Sequence, residues 1–308
     1  MSSGYRHISL EPGTAQEKYL GWRLLREGPG LKVITQRRGP IRRCLLLVAG
    51  LADEEVGEIV LRERLLDFRT DLILHDYEDQ GREARKIAGR VWKRAGADLR
   101  LLNIATFVFD LQRDDDSLRA AMSADYRRKL RKANEARMEV VEDSVPTPAV
   151  FEEFMGNFEA MAKERGLGAF PRSVAQRMFD AGDLSLFRVL AEDGTRTAAT
   201  VYRAGDKAIF MTGVGGEKKN DGSGQLLHFE IMRTLRARGV RWYDFGGLPT
   251  IDENNGIYRF KKGFGGELAL LGAEYVHRPP MVAALALLKS RLSRGSETPK
   301  CRPASSSK

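Results

Sequence analysis

The sequence is short of the residues that build metal centres and disulfide frameworks. It contains 2 cysteines and 4 histidines in 308 residues. Cys44 and Cys301 cannot form a framework of bridges. The histidines are scattered without the spacing of metal ligands, so we predict neither a metal site nor a histidine-based catalytic triad. We interpret His228, within a predicted helix, as a packing or surface residue.

Long apolar runs are also absent. No stretch approaches 18 consecutive apolar residues, and the opening MSSGYRHISLEPG has no apolar core of a signal peptide. We therefore expect a cytoplasmic protein. A hydrophobic content of 42% and a charged content of 30% are typical of a globular chain, with room for one large domain or two ordinary ones.

The excess charge is positive. The 51 Lys and Arg residues outnumber 42 Asp and Glu residues, which gives a formal net charge of +9. Such a balance favours a polyanionic partner: nucleic acid, an anionic membrane surface or a pyrophosphate-bearing substrate. Charge alone does not choose between them.

The clearest local pattern lies in the second half of the chain. An apolar run at Ile209–Val214 predicts a strand, a glycine-rich loop follows, and apolar residues then recur at helical spacing before a strand at Trp242–Phe245. In the loop, Lys219, Gly222 and Gly224 stand in K-x-x-G-x-G spacing. A glycine loop that leads into a helix presents unpaired backbone N–H groups to an anion. The arrangement resembles the pyrophosphate loop of GNAT acyltransferases.

A more specific pair of motifs comes next. YDFGG at 243–247 is followed, after a short loop, by GIYRFKKGFGGE at 256–267. The pair resembles the C-terminal signature of the FemABX family, in which YDFGG precedes F-K-x-x-F-G-G. Members of that family are peptidyltransferases with two GNAT-like domains, and they transfer an amino acid from aminoacyl-tRNA to an amino group of a cell-wall precursor.

The resemblance implies an α/β (α+β) fold with two GNAT-like acyltransferase domains, each a mixed twisted sheet flanked by helices. Residues 1–145, with a returning helix at about 281–294, are expected to form the first domain, and residues 146–280 the second. Residues 295–308, rich in Ser, Pro and Lys, are predicted to be disordered.

Two prolines within Asp143–Pro148 mark the predicted domain boundary. The short interval from Glu153 to Arg203 leaves no room for the long helical arm of the staphylococcal family members. We therefore expect the compact type without that arm.

Local patterns predict the remaining elements. Residues 79–96 read as an amphipathic helix with Ile87, Val91 and Trp92 on its inner face. The acidic run Asp114–Asp116 is interpreted as a cap of the next helix rather than as a metal site. Further predicted elements are a helix at 14–27, strands at 31–35, 44–50, 99–104, 106–111, 138–142, 184–192 and 197–203, and helices at 148–165 and 173–181.

The resemblance also implies roles for single residues. Lys261, the lysine of F-K-x-x-F-G, is expected at the tRNA 3′ end and at the oxyanion that develops on the attacked ester, and Phe260 offers a stacking face for a terminal base. An aminoacyl ester is already activated, so holding the amine and stabilising negative charge suffices. In the alternative, Phe260 and Phe264 enter the core while Lys261 and Lys262 project to solvent, as in any strand.

Other candidates follow from the same resemblance. Asp110 matches an acidic residue at the end of a first-domain strand and would orient the acceptor amine or accept its proton. Asp244 and Tyr258 are placed by the motif, and Asp244 is equally suited to fix the glycine turn. Arg127 and Arg131, four residues apart on a basic helix, could grip phosphate, with a solvated face as the alternative.

We therefore expect a monomeric aminoacyltransferase of peptidoglycan synthesis. Aminoacyl-tRNA would be its co-substrate, without a cofactor, and its acceptor would be a muropeptide, lipid II or a small-molecule amine. The alternatives are an acetyl-CoA-dependent N-acetyltransferase and a non-catalytic basic nucleic-acid binding protein. The segment Met281–Arg294 would either pack on the first domain or give weak contact with an anionic membrane surface, which leaves a peripheral position at the inner face of the membrane open.

Overall fold

Fourteen strands and eight α-helices organise the part of the chain that the structure describes. The computed structural model describes residues 5–79, 81–96, 100–166, 168, 170–192, 194–215, 220–248 and 250–284. The strands are β1 (Arg23–Gly28), β2 (Leu31–Arg38), β3 (Ile41–Val48), β4 (Thr70–Asp76), β5 (Ala84–Ile87), β6 (Arg90–Arg94), β7 (Ala105–Asp110), β8 (Glu139–Asp143), β9 (Leu184–Ala191), β10 (Gly194–Ala204), β11 (Lys207–Gly215), β12 (Trp242–Leu248), β13 (Glu267–Leu270) and β14 (Ala273–His277). The helices are α1 (Ala15–Tyr19), α2 (Asp53–Arg62), α3 (Asp115–Ala121), α4 (Ala124–Glu135), α5 (Pro148–Arg165), α6 (Arg172–Asp180), α7 (Ser223–Ala237) and α8 (Gly256–Lys262), with a short 3-10 helix at Ile8–Leu10.

The strands form two mixed sheets of seven. The first has the order β1-β2-β3-β4-β14-β6-β5 and the second the order β13-β7-β12-β11-β10-β9-β8. Helices cover both faces of the second sheet: α3, α4, α7 and α8 contribute to one apolar cluster, and α5 and α6 to the other. Two sheets flanked by helices confirm the predicted tandem GNAT-like α/β architecture.

Each sheet contains one parallel pair of described strands connected by a helix, and the two pairs differ. β3 and β4 pair through seven positions, from Arg42 with Thr70 to Val48 with Asp76. β11 and β12 pair through three, ending at Ile209 with Asp244, although both strands continue. The second pair therefore separates toward the N-terminus of α7 and leaves part of the β11 edge without its β12 partner.

Capping chemistry explains why some predicted helices are confirmed at their predicted ends. Thr147 accepts a hydrogen bond from the Val150 N–H, Pro148 occupies the first turn, and Gly166 ends α5 at φ 63°. Asp114 accepts from the Ser117 N–H at 2.7 Å and caps α3, as interpreted. The interval from Glu153 to Arg203, which we expected to be too short for a helical arm, holds most of α5 and all of α6. Both helices pack on the second sheet.

The predicted helix over residues 79–96 is wrong. This segment is the hairpin β5–β6, whose turn places Ala88 and Gly89 at φ 46° and 72°. Two positive φ angles in succession suit the twist of a two-residue hairpin. Trp92 is buried, but Val91 is 61% exposed, because neighbouring residues on a strand face opposite sides.

Two other predictions in the first half of the chain need correction. The helix predicted over 14–27 ends at Tyr19, and β1 begins at Arg23 after Gly21 takes φ 70°. The strand predicted over 99–104 is absent from residues 100–104, and residue 99 lies outside the described part.

The sheets divide the chain differently from the predicted boundary at Asp143–Pro148. β8 ends at that boundary and pairs with β9 beyond it, and β7 also belongs to the second sheet. Later in the chain, β14 returns to pair with β4 in the first sheet. Of the returning helix, residues 280–284 are helical, and residues 285–308 lie outside the described part. None of the described helices has the length and apolar character needed to cross a membrane.

Candidate active site

The lysine of the spaced motif lies inside the fold. Lys261 is on α8, whose first turn is capped by Asn255. Only 5% of the surface of Lys261 is exposed. Its Nζ donates to the carbonyl oxygens of Gly246 at 2.7 Å and Gly247 at 3.0 Å. The strand alternative is therefore wrong: Lys261 is buried while its neighbour Lys262 is exposed and paired with a surface glutamate.

Burial sets the charge state of this centre. It lowers the pKa of Lys261 to about 8, and the nearby Asp244 carboxylate opposes that shift. Burial, followed by the field of Lys261, lowers the pKa of His228 to about 3. His228 is thus neutral near pH 7 and packs against the ring of Phe245 at 4.3 Å between ring centres.

Asp244 fixes the glycine turn that receives the lysine. Its Oδ1 accepts from the Gly246 N–H at 2.8 Å and from the Thr106 hydroxyl, and its Oδ2 accepts from the Tyr5 hydroxyl. The Thr106 hydroxyl is also 3.0 Å from the Gly246 carbonyl oxygen. Sequence reasoning missed Thr106 and Tyr5, since they lie 138 and 239 residues from Asp244 and belong to no motif.

The motif glycines allow close packing around this turn. Gly246 has φ 73°, and a Cβ there would lie 2.6 Å from the Phe210 carbonyl oxygen. A Cβ on Gly265, at φ 75°, would lie 2.0 Å from the Ala121 carbonyl oxygen. Both distances are shorter than van der Waals contact, so the motif spacing is set partly by backbone packing.

The two aromatic candidates contribute to the core. Tyr258 is buried, with its ring centre 5.5 Å from that of Phe107. Phe260 is half-buried, 6.2 Å from Tyr126 between ring centres, and its ring borders Gly224. Phe260 therefore keeps a partly accessible face, whereas Tyr258 is a packing residue.

Asp110 lies away from Lys261. On β7, Asp110 pairs with Trp242, whereas Thr106 pairs with Gly247 beside Lys261. Four residues of extended strand separate these two positions by about 13 Å. The Asp110 end of β7 borders a separate cleft of about 250 Å³. That cleft is also lined by Val108, Phe109, Arg113, Leu118, Trp242, Gly265, Gly266 and Glu267.

Arg127 and Arg131 do not form a shared phosphate grip. Arg127 Nη1 donates to the carbonyl oxygens of Ala120, at 3.1 Å, and Met122, and so closes the end of α3. Arg131 is on the exposed surface, 3.7 Å from the Glu135 carboxylate.

The glycine loop before α7 is already capped by the protein. Gly222 takes φ 93°, and a Cβ on it would lie 2.1 Å from the Lys129 carbonyl oxygen. The Asp221 carboxylate accepts from the Ser223 N–H at 2.9 Å and from its hydroxyl at 2.7 Å. A negative group of the protein therefore occupies this helix end. Lys219, the lysine of the K-x-x-G-x-G spacing, lies outside the described residues.

Cys44 is buried in the first sheet, and burial raises the pKa of its thiol to about 12. Among the described residues, no group of three or more His, Cys, Asp and Glu side chains could hold a metal ion.

Comparison with known proteins identifies an acyltransferase domain in this chain. The profile of the acetyltransferase (GNAT) domain matches residues 104–262, just over half of the 308 residues. The chain belongs to this GNAT family. A search of curated proteins by sequence gave no match.

Solved structures with the same fold extend over nearly the whole chain. The crystal structure of FemX superposes with a TM-score of 0.64 and 14% identity, covering 89% of this chain and 92% of FemX. L-PGS from Bacillus licheniformis has a TM-score of 0.54 and 12% identity, covering 93% and 99%. The C-terminal domain of a protein described as a lysylphosphatidylglycerol synthetase, from Agrobacterium fabrum, has a TM-score of 0.54 and 13% identity, covering 88% and 89%. The fold implied by the FemABX resemblance is confirmed.

Proposed function

We propose that this acyltransferase moves an amino acid from aminoacyl-tRNA to an amino group of a cell-wall precursor or a related amine acceptor. The observation that carries the proposal is the burial of Lys261 against the Gly246 and Gly247 carbonyls. Both halves of the spaced motif thereby build one cationic centre next to the point where β11 and β12 separate.

The reaction needs few protein groups. The acceptor nitrogen attacks the ester carbonyl carbon, a C–N bond forms, and the C–O bond to the tRNA ribose breaks. The amine loses a proton, and the released ribose oxygen gains one. An ammonium group has three N–H donors, so the two described hydrogen bonds of Lys261 leave one for the carbonyl oxygen that becomes negative.

The structural relatives support aminoacyl transfer as the reaction class. FemX superposes on this chain over nearly its whole length, and a second structural relative is described as a putative lysylphosphatidylglycerol synthetase. These likenesses concern the fold. The motif residues at Asp244 and Lys261 connect that fold to the proposed chemistry.

The competing donor is acetyl-CoA, which the matched GNAT profile favours. A pyrophosphate at the N-terminus of α7 would compete with the Asp221 carboxylate, which already accepts the Ser223 N–H and lies 3.9 Å from the Arg196 guanidinium. This acceptor, already bound at the helix end, disfavours that position. We therefore prefer aminoacyl-tRNA as the donor.

A transfer assay tests the choice of donor. The purified protein is offered a mixed pool of labelled aminoacyl-tRNAs with muropeptide, lipid II and small-amine acceptors, and products are identified by mass. In parallel, thermal unfolding is followed with acetyl-CoA and with charged tRNA. Product formation and stabilisation with charged tRNA support the proposal, whereas stabilisation by acetyl-CoA alone, with acetylated product, overturns it.

A further inference from the structure

The cations of α4 that were not singled out from the sequence line a pocket. Arg128, Lys129 and Lys132 surround a cavity of about 330 Å³ together with Asp125 and Asn220. Arg128 and Lys129 share the Asp125 carboxylate, at 2.6 Å and 2.8 Å. The Lys132 side chain has no hydrogen bond or ion pair within the described part of the chain. Three cations and one carboxylate give the pocket a formal charge of +2.

The pocket is held beside the second sheet by tight packing. Gly222 approaches the Lys129 carbonyl so closely that a Cβ would lie 2.1 Å away. This contact brings Asn220 to the pocket, where its Oδ1 lies 3.4 Å from Lys129 Nζ. Asn220 itself takes φ 63°, a conformation that asparagine tolerates better than most residues.

A row of aromatic side chains connects the pocket with the lysine centre. Lys129 Nζ lies 5.6 Å from the ring centre of Tyr126, and Tyr126 is 6.2 Å from Phe260 between ring centres. Phe260 lies 5.8 Å from His228 between ring centres, and the field of Lys261 acts on His228. A chain molecule whose reactive end reaches Lys261 could therefore run past Phe260 and Tyr126 to the pocket.

We propose that the pocket formed by Arg128, Lys129 and Lys132 binds backbone phosphates of the aminoacyl-tRNA close to its acylated 3′ end. The inference rests on the proposed function. Arginine and lysine supply the charge that phosphate needs, and the neighbouring aromatic faces suit unpaired bases. Stacking on aromatic rings and a cationic track are the two features that single-stranded nucleic acid requires.

The test uses three single substitutions in the full chain. Arg128→Ala and Lys132→Ala each remove a pocket cation, and the matched control Arg131→Ala removes a cation from the same helix outside the pocket. Binding of deacylated tRNA is followed by fluorescence anisotropy between about 50 and 200 mM salt. Each pocket substitution should lower the salt dependence, the slope of log K against log salt, by about 1, and the control should leave it unchanged.

The possible results distinguish a failure of the pocket proposal from a failure of the proposed function. Equal slopes for all four proteins, with transfer activity intact in the donor assay, overturn the pocket but leave aminoacyl transfer standing. An equal loss in the Arg131→Ala control also overturns it, since the effect would then be general charge. Weaker acetyl-CoA binding in the pocket variants, with no tRNA binding by the unsubstituted protein, overturns both proposals. Thermal unfolding of each variant confirms that the fold is retained.

Discussion

Lys261 Nζ lies 2.7 Å from the carbonyl oxygen of Gly246, so the lysine of the second motif is held by the backbone of the first. The two residues are 15 positions apart in sequence and on different elements, α8 and β12. The short loop between β12 and α8 therefore returns α8 onto the turn that it leaves.

Lys261→Met should abolish most transfer. The substitution keeps an unbranched side chain of similar length but removes the cation expected at the developing oxyanion. Loss of one such donor costs about 10²–10³ in kcat. Steady-state transfer with charged tRNA measures the effect. Lys262→Met is the matched control, since Lys262 is exposed and pairs with Glu253, and it should retain activity. Equal activity of both variants contradicts a catalytic Lys261.

Transfer should decline as the pH rises through about 8. At that pH the buried Lys261 loses its proton, and with it the charge assigned to oxyanion stabilisation. A pH profile of kcat with a stable aminoacyl ester tests this expectation. A rate that keeps rising well beyond pH 8, after correction for spontaneous ester hydrolysis, would show that the neutral amine is the active form.

The same pKa predicts a change of stability with pH. The folded-state pKa of Lys261 is about 8, below its ordinary value of 10.5. Between these values the unfolded chain binds more protons, so the free energy of unfolding should rise with pH. Urea unfolding of the unsubstituted protein and of Lys261→Met across this range isolates the contribution. If the difference in unfolding free energy between the two proteins stays constant from pH 8 to 10.5, the pKa of Lys261 is not lowered in the folded state.

Gly246→Ala should destabilise the protein strongly. The new Cβ would face both the strain of φ 73° and a contact of 2.6 Å with the Phe210 carbonyl oxygen. Such strain alone costs about 1–3 kcal/mol. Gly239→Ala is the control, because Gly239 has φ 75° with no atom within 4 Å of the added Cβ. In urea unfolding, Gly246→Ala should lose more stability than Gly239→Ala, and equal losses would mean that the close contact is relieved elsewhere.

Thr106→Val should slow transfer through Asp244. The near-isosteric change removes the hydroxyl that donates to Asp244 Oδ1, and a hydrogen bond to a charged group contributes about 1.5–3 kcal/mol. Thr200→Val is the control, since Thr200 is equally buried and bonded to Thr212 away from the lysine. We expect both variants to lose stability and only Thr106→Val to lose kcat. A similar kcat loss in both would assign Thr106 a purely structural role.

Sequence alone determined the features that depend on neighbouring residues. The ends of α5 follow from Thr147, Pro148 and Gly166, and the strand–loop–helix–strand order around α7 follows from spacing and glycines. The YDFGG and F-K-x-x-F-G-G pair indicated a GNAT-type fold in two halves, which the structure confirms. Caps, turns and periodicity act within a few residues, so they can be read locally.

Tertiary structure decided which side chains meet. The hairpin β5–β6 replaced a predicted helix because Ile87 and Trp92 fit a helical face and a strand face equally well, and only packing against the first sheet distinguishes them. Thr106 reaches Asp244 across 138 residues, while Asp110, four residues further along β7, ends at a different cleft. Contacts over such separations depend on how the sheets assemble, and the local pattern of residues carries no record of that assembly.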